Sequence, residues 1–447
     1  MASFVGLVLA AGHGKRMKSE LPKVLHQVAG IPMIDHVVGL LVRSGASRTI
    51  VVVGHGGELV EEHLAGCADI VWQKEQLGTG HAVLSAGPAF HGYDGNIVVI
   101  PGDVPLLTPE TIEELVNEHS SSGRSATVLT MHVDDPTGYG RIVRDSQGNV
   151  AAIVEQRDAT EEIRAVREVN TGVFCFDKKK LFDALPRLSN DNEQGEYYLT
   201  DVIEVMISQG LSVGAVVLRD ASEGLGINSR VKLSEAETAM RNRKRYEAME
   251  SGVTLIDPQS TFIDANVEIG PDTIIMPFTV ISGNSKIGES CKIGPYVYIC
   301  DSEVGNECNI GPFSYLRPGT SLSDRVKVGD FVEIKKSVVG EGSKIPHLSY
   351  IGDTVMGSKV NIGAGTITCN YNGTTKNTTI IEDGAFVGAN SNLVAPVKVG
   401  LDAYIATGST VTSDVPPGAL AIGRARQENK EGWVAKRRAA QSSKEEK

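Results

Sequence analysis

The chain has 447 residues, a formal net charge of −12 and 41% hydrophobic residues, enough material for two or three buried cores. Such an acidic chain is a poor partner for nucleic acid, and a small acidic substrate would need basic groups gathered locally. No basic region precedes the short apolar run at the start and no later stretch is apolar enough to span a bilayer, so no membrane partner is expected and the sequence reads as cytoplasmic. The six cysteines (Cys67, Cys175, Cys291, Cys300, Cys308 and Cys369) form no CxxC pair and no zinc spacing. They read as reduced residues of cores or coils.

An apolar run at 5–11 stops at Gly12-His13-Gly14-Lys15-Arg16-Met17, and further apolar runs stand at 50–53 and 97–100. Helical patterns intervene, as at 34–42. Thr108-Pro109-Glu110 carries the marks of a helix start: a threonine cap, proline at the first position and an acid in the first turn. Strands alternating with helices predict a largely parallel, doubly wound α/β sheet, and such sheets bind ligands beyond the carboxyl ends of their strands. The first loop is neither a dinucleotide fingerprint, because Met17 stands where a third glycine belongs, nor a Walker loop. Its exposed amides, with Lys15, Arg16 and Lys23, suit a polyphosphate. A glycine turn followed by solvated charges is the plainer alternative. Pro101-Gly102-Asp103 then sets a carboxylate where a strand ends; taken alone, Asp103 is as readily a turn residue as a Mg²⁺ ligand. Together the two loops favour a Mg–nucleotide site.

Residues 229–250 are charged and rich in helix formers, and read as one linker helix. Its Arg241, Arg243, Lys244 and Arg245 read as a solvated face rather than a nucleic-acid patch. Beyond it the rhythm is six. Ile269, Ile275, Ile281, Ile287, Ile293 and Ile299 fall at unbroken spacing, and the beat continues, with short steps, to Val411. Neither helix nor alternating strand has that period. A chain that turns a corner every six residues does, and hexapeptide repeats of this kind read as a parallel β-helix, against the alternative of a β-sandwich. A glycine often follows the aliphatic, as at Gly270, Gly288 and Gly363, where a corner backbone is crowded or has positive φ. An insertion after Ile362 runs to about Thr379, and loops on rigid scaffolds often carry function. Because residues about eighteen apart stack on one face, Arg317, Lys335 and the 347–350 corner with His347 and Tyr350 are expected to lie near one another. Two cations beside a histidine suit a phosphorylated amine. In the tail, Trp433 is expected to dock on a neighbouring coil, and residues after about Arg438 to be disordered.

Several segments carry a resemblance. Leu9-Ala10-Ala11-Gly12-His13-Gly14-Lys15-Arg16-Met17 with Leu21-Pro22-Lys23 resembles the signature of sugar-1-phosphate nucleotidyltransferases. Gln73-Lys74-Glu75-Gln76-Leu77-Gly78-Thr79-Gly80, Gly195-Glu196-Tyr197-Tyr198-Leu199-Thr200-Asp201 and Gly226-Ile227-Asn228, followed by the hexads, narrow it. Nearly the whole chain resembles the bacterial bifunctional N-acetylglucosamine-1-phosphate uridyltransferases and glucosamine-1-phosphate N-acetyltransferases. The resemblance implies a left-handed coil, a homotrimer with acetyl-transfer sites between subunits, and UTP, acetyl-CoA and Mg²⁺ as substrates and cofactor. It implies a uridyltransferase domain at 1–228, a linker at 229–252 and an acetyltransferase domain with its tail at 253–447. In the first domain it assigns Leu9, Ala10, Ala11, Gly12, Gln73, Gly78 and Thr79 to uracil and ribose. Arg16 and Lys23 fall to the phosphates, Asp103 and Asn228 to the metal, and Gly140, Glu155 and Asn170 to the sugar. In the second it makes His347 the catalytic base and assigns Arg317, Lys335, Tyr350 and Asn361 to the sugar phosphate. Ala364, Asn370 and Tyr371 fall to substrate and coenzyme, and Ala389, Thr407 and Arg424 to the coenzyme side. Glu333 is expected to orient a neighbour. Three positions depart from the family pattern: Pro101 replaces an aromatic residue, Ala389 a serine and Thr407 an alanine.

Overall fold

The computed structural model describes residues 3–445, with side chains to residue 441. The chain divides into two compact units, residues 1–244 and 245–447, the dividing point lying inside the helix Arg230–Glu250.

In the first unit the apolar runs become strands, and their alternate residues serve two cores. Val8, Ala10, Val51, Val53, Val98 and Ile100 pack against the helices Met33–Arg43 and Pro109–Ser122. Leu7, Ile50, Val52, Ile97 and Val99 pack on the opposite face against Thr79–Ser85 and Asp201–Ser208. Strands with both faces covered read as continuous apolar runs. The sheet order is Val213–Val217, Ala126–His132, Glu168–Asp177, Asn96–Pro101, Phe4–Ala10, Ala46–Val53 and Asp69–Trp72. Along this path all neighbours are parallel except Glu168–Asp177, which runs antiparallel to both of its own, and Arg141–Arg144 with Val150–Val154 adds an antiparallel pair at its edge. The sheet is therefore mixed, doubly wound α/β. Thr108 caps its helix as expected, its side chain accepting from the Thr111 amide.

The second unit is a left-handed parallel β-helix. Three sheets of 10, 9 and 8 short strands interleave, and each strand pairs in parallel with the one a coil later. Ile275 lies beside Ile293, Ile310 and Val328 in turn, and Ile281 beside Ile299, Leu316 and Ile334. These aliphatics form one core running the length of the coil. Where a glycine follows the aliphatic, it has a steric cause. A Cβ on Gly270 would lie 2.7 Å from the backbone of Gly288 and Glu289 in the next coil. Gly294 and Gly311 do take positive φ, 101° and 110°, whereas after Gly270, Gly288 and Gly305 the positive φ falls two places further on, at Asp272, Ser290 and Glu307.

The insertion makes one coil of 25 residues, the Ser358 amide reaching Asp383. It closes as a small hairpin bridged between Tyr371 and Lys376. Two expectations need correction. The tail is helix from Trp433 to Glu445, not irregular chain; Ala439, Ala440 and Gln441 favour helix, and Arg437 covers the Trp433 ring one turn away at 5.1 Å. Residues 446 and 447 lie outside the described residues. Trp433 itself is half exposed in the chain. The basic residues of the long helix are not a solvated face. Arg241 pairs with Glu237 at 2.5 Å, Arg243 donates to the Leu106 carbonyl, and Arg245 is buried, donating to the Pro258 carbonyl at 2.5 Å.

Candidate active sites

The first site lies where the parallel strands Phe4–Ala10 and Asn96–Pro101 end side by side. Leu9 is in register with Pro101, and the Gly102 amide donates to the Leu9 carbonyl at 2.9 Å. The loops that follow open on a cavity of about 680 Å³. Leu9, Ala10, Ala11, Gly12, Arg16, Lys23, Gln73, Gly78, Thr79, Asp103, Glu155 and Asn170 all line it. Gly140 stands just behind, its carbonyl accepting from the Asn170 amide at 2.8 Å. A Cβ on Gly12 would meet nothing within 4 Å, so this glycine is not spared for packing and its backbone faces open space. Gly78 has φ 110° and a Cβ there would strike the Tyr197 backbone at 2.6 Å. That close approach locks the 77–80 turn to the 197–199 segment, with the Leu199 amide on Thr79 Oγ1 at 3.0 Å. Gln73 is fixed by the Gly78 carbonyl at 3.0 Å. The Pro101 ring packs against Gly172, where a Cβ would come within 2.9 Å.

At the floor, the Lys23 ammonium reaches Asp103 Oδ2 at 2.5 Å and Asn228 Oδ1 at 3.0 Å. Two oxygens from segments far apart in sequence thus converge on one point, and a cation fills it. Across the cavity the Thr200 hydroxyl donates to Glu155 Oε1 at 3.3 Å. Burial pushes the Glu155 carboxyl up. Burial and the neighbouring Glu155 also raise Asp201 from an ordinary 3.8 to about 6. Between those two values the folded state holds the proton better than the unfolded one. Stability therefore falls as pH rises through this window, and the whole cost is present above it. Asp201→Asn is expected to raise Tm at pH 8 and leave it nearly unchanged at pH 4. An equal gain at both pH values would show that ionisation is not the cause. His13 and His55, with rings 4.6 Å apart, and Arg157 were not singled out by motif; His13 and Arg157 line the cavity.

A groove of about 850 Å³ between Pro109–Ser122 and Val213–Val217 is larger, but its charged residues are Glu110, Glu113, Glu114, Glu118, Glu223 and one cation, Arg219. That lining would repel a nucleotide triphosphate.

On the β-helix, register sorts the candidate residues into two columns. His347 stacks on Asp330, and its Nδ1–H donates to Asp330 Oδ1 at 2.5 Å. A carboxylate only accepts, so this bond places the ring proton on Nδ1 and leaves the Nε2 lone pair exposed to solvent. The hydrogen bond from His347 holds the Asp330 carboxyl below its usual range. The pairings Lys344 to Asn361 and Tyr350 to Ile367 carry the column from His347 to Ala364. It continues through Ala389 and Thr407, since Asn390 donates to the Ala364 carbonyl and Gly408 to the Ala389 carbonyl, both at 2.8 Å. Arg424 reaches the Gly408 corner. Ala389 and Thr407 thus present corner backbone to this margin. Asn361 stands on the adjoining face, beside Lys344 and Phe386.

The second column holds the cations. Arg317 Nη1 donates to Glu333 Oε1 at 2.7 Å, so Glu333 does orient a neighbour in the structure. Lys335 is held below its usual range by the Lys376 amine and then by Arg317. Lys376 lies in the insertion and no motif pointed to it. Tyr350 leans to this side, its hydroxyl 3.4 Å from Asn370 Nδ2, which also donates to Asp353 at 2.5 Å. Tyr371 is exposed, donating to the Gly373 carbonyl at 2.5 Å. The columns stand at the two margins of one face, separated by the strand Glu333–Lys335, about 10 Å. The spacing of eighteen predicted the stacking but not this division.

Residues 6–202 match the MobA-like NTP transferase domain, 275–371 the GMPPB C-terminal domain, and 378–413 the hexapeptide repeat of succinyl-transferase. The chain is 54% identical to the bifunctional protein GlmU of Heliobacterium modesticaldum, covering 96% of this chain and 98% of that one. It is 53% identical to that of Caldanaerobacter subterraneus subsp. tengcongensis (98% and 99% covered) and 51% identical to that of Geobacillus thermodenitrificans (99% and 100%).

Proposed function

The chain belongs to the family of bifunctional GlmU proteins, and from that premise we propose that it makes UDP-N-acetylglucosamine in two steps. The second unit acetylates glucosamine 1-phosphate with acetyl-CoA. The first transfers UMP from UTP to the resulting N-acetylglucosamine 1-phosphate and releases pyrophosphate. UTP and acetyl-CoA as substrates support a cytoplasmic location for this reading.

In the acetyl transfer, the amine nitrogen attacks the thioester carbonyl, His347 Nε2 takes an amine proton, and coenzyme A leaves as the thiol. Asp330 keeps the imidazole in the accepting tautomer. Arg317, Lys335 and Lys376 suit the phosphate of the substrate. The observation that carries this half is the His347–Asp330 hydrogen bond on a margin of acyl-transfer backbone sites. One chain sets its base and its phosphate cations at opposite margins of a flat face, whereas ligand sites are concave. A homotrimer, which the resemblance implies, would turn the margin of one subunit toward the cations of another and supply the cleft.

In the uridylyl transfer, a phosphate oxygen of the sugar attacks the α-phosphorus of UTP and pyrophosphate departs in line. Positioning and charge neutralisation do most of the work. Arg16 and Lys23 face the phosphates, Gln73 and the 78–79 turn the base and ribose, and Glu155 and Asn170 the sugar. Asp103 Oδ2 and Asn228 Oδ1 converge on the Lys23 ammonium, and one carboxylate with phosphate oxygens and waters is the set Mg²⁺ prefers. When bound there, Mg²⁺ would neutralise the developing charge on the phosphates. The test is incubation with glucosamine 1-phosphate, acetyl-CoA, UTP and Mg²⁺, following free thiol and pyrophosphate. Both should appear, and pyrophosphate only after thiol. Pyrophosphate independent of acetyl-CoA, or no thiol, would overturn the reading.

A further inference from the structure

We infer that Arg230 is a positioning residue for uridylyl transfer: it locks the two phosphate-facing cationic segments to the segment that carries Asn228. The inference rests on the proposed nucleotide site. Arg230 opens the long helix two residues after Asn228. Its Nε donates to the Met17 carbonyl at 3.2 Å, and Met17 directly follows Arg16. Its Nη1 meets Nδ1 of His26 at 3.3 Å. His26 is buried, its Nε2 has no partner among the described residues, and its amide donates to the Lys23 carbonyl at 3.2 Å. Lys23 returns to Asn228 at 3.0 Å. The contacts therefore close a circuit from Asn228 through Lys23, His26 and Arg230, with a branch to the Arg16 loop.

The two cationic segments also press on each other, since a Cβ on Gly14 would lie 2.8 Å from Lys23 Cβ. Neither segment is regular structure beyond a single 3₁₀ turn, so their own backbone bonds fix little. A planar guanidinium with separate donors can hold a carbonyl and a ring nitrogen together, which an ammonium does less well. Further along the same helix, Glu237 accepts from the Ala29 amide at 2.5 Å, so the helix grips this region twice. Arg230 itself does not line the cavity, and its effect on substrate would pass through Arg16 and Lys23.

The full-length enzyme carrying Arg230→Ala is expected to lose about tenfold in kcat/KM for UTP, the size of one lost charged hydrogen bond. KM for UTP, and for pyrophosphate in the reverse direction, should carry most of the change. Acetyl transfer and Tm should stay within the wild-type range, free guanidinium should restore part of the loss, and Arg230→Lys should fall between. An unchanged kcat/KM in Arg230→Ala, or a loss that follows Tm across Ala, Gln and Lys variants, would overturn the assignment. If wild-type protein released no pyrophosphate, the nucleotide reading would fail and this inference with it. Normal wild-type turnover with an unaffected variant sinks the inference alone.

Discussion

His347→Ala is expected to lower acetyl transfer by about 10³-fold while uridylyl transfer from supplied N-acetylglucosamine 1-phosphate stays at the wild-type rate. A positioned general base contributes about 10²- to 10⁴-fold. The imidazole here is exposed and packs into no core, so truncation costs little stability. Its Nδ1 is committed to Asp330, which leaves Nε2 as the atom that would take the proton in the proposed reaction. Asp330→Asn should therefore follow the same direction more mildly, because the amide can donate to Nδ1 and turn the lone pair inward. The measurement is thiol release against time for each variant, with pyrophosphate release in parallel. Loss of both activities in His347→Ala would mean a structural histidine. Retained acetyl transfer would mean that another group takes the proton.

The β-helix was legible because every sixth position has one job. Ile275, Ile293 and Ile310 all point into the same core, and a polar residue, the buried Thr368, takes an interior position only where the insertion begins. The glycine signal was legible in both its forms: Gly270 and Gly363 are crowded by the next coil, and Gly294 and Gly311 take positive φ; that Asp272 and Ser290 would take it as well was not legible. The doubly wound sheet followed from its apolar runs. The reversed strand Glu168–Asp177 did not, because burial on both faces looks the same in either direction. Asp330 was within reach of the spacing, standing seventeen before His347 in paired register. Lys376 was not, since an insertion breaks the count that would have placed it beside Lys335. Arg245 shows the limit of composition: in a charged helix it looks solvated, yet its partners are carbonyls that only the folded chain brings up.

Asp103→Ala is expected to lower uridylyl transfer by about 10²-fold or more, with acetyl transfer intact, because on the proposed reading it removes a Mg²⁺ ligand and with it several kcal/mol of charge stabilisation at the transferring phosphate. The contact with Lys23 sharpens this prediction. In the folded chain Asp103 Oδ2 holds the ammonium at 2.5 Å, so alanine would both remove the proposed metal oxygen and release Lys23 from its carboxylate. A freed Lys23 can still meet the phosphates, and ground-state binding of UTP need not suffer. The loss should then appear in kcat with KM for UTP nearly kept, and the Mg²⁺ concentration for half activity should rise. Asp103→Asn keeps the shape and an acceptor but not the charge, and should show the same shift in smaller measure. If KM for UTP rose with kcat and the Mg²⁺ requirement unchanged, Asp103 would be a tether for Lys23 and not a metal ligand. Asn228→Ala separates the two roles further: it removes the weaker contact to Lys23, at 3.0 Å, and leaves the carboxylate in place. A raised Mg²⁺ requirement in both variants requires the two oxygens to act on one ion.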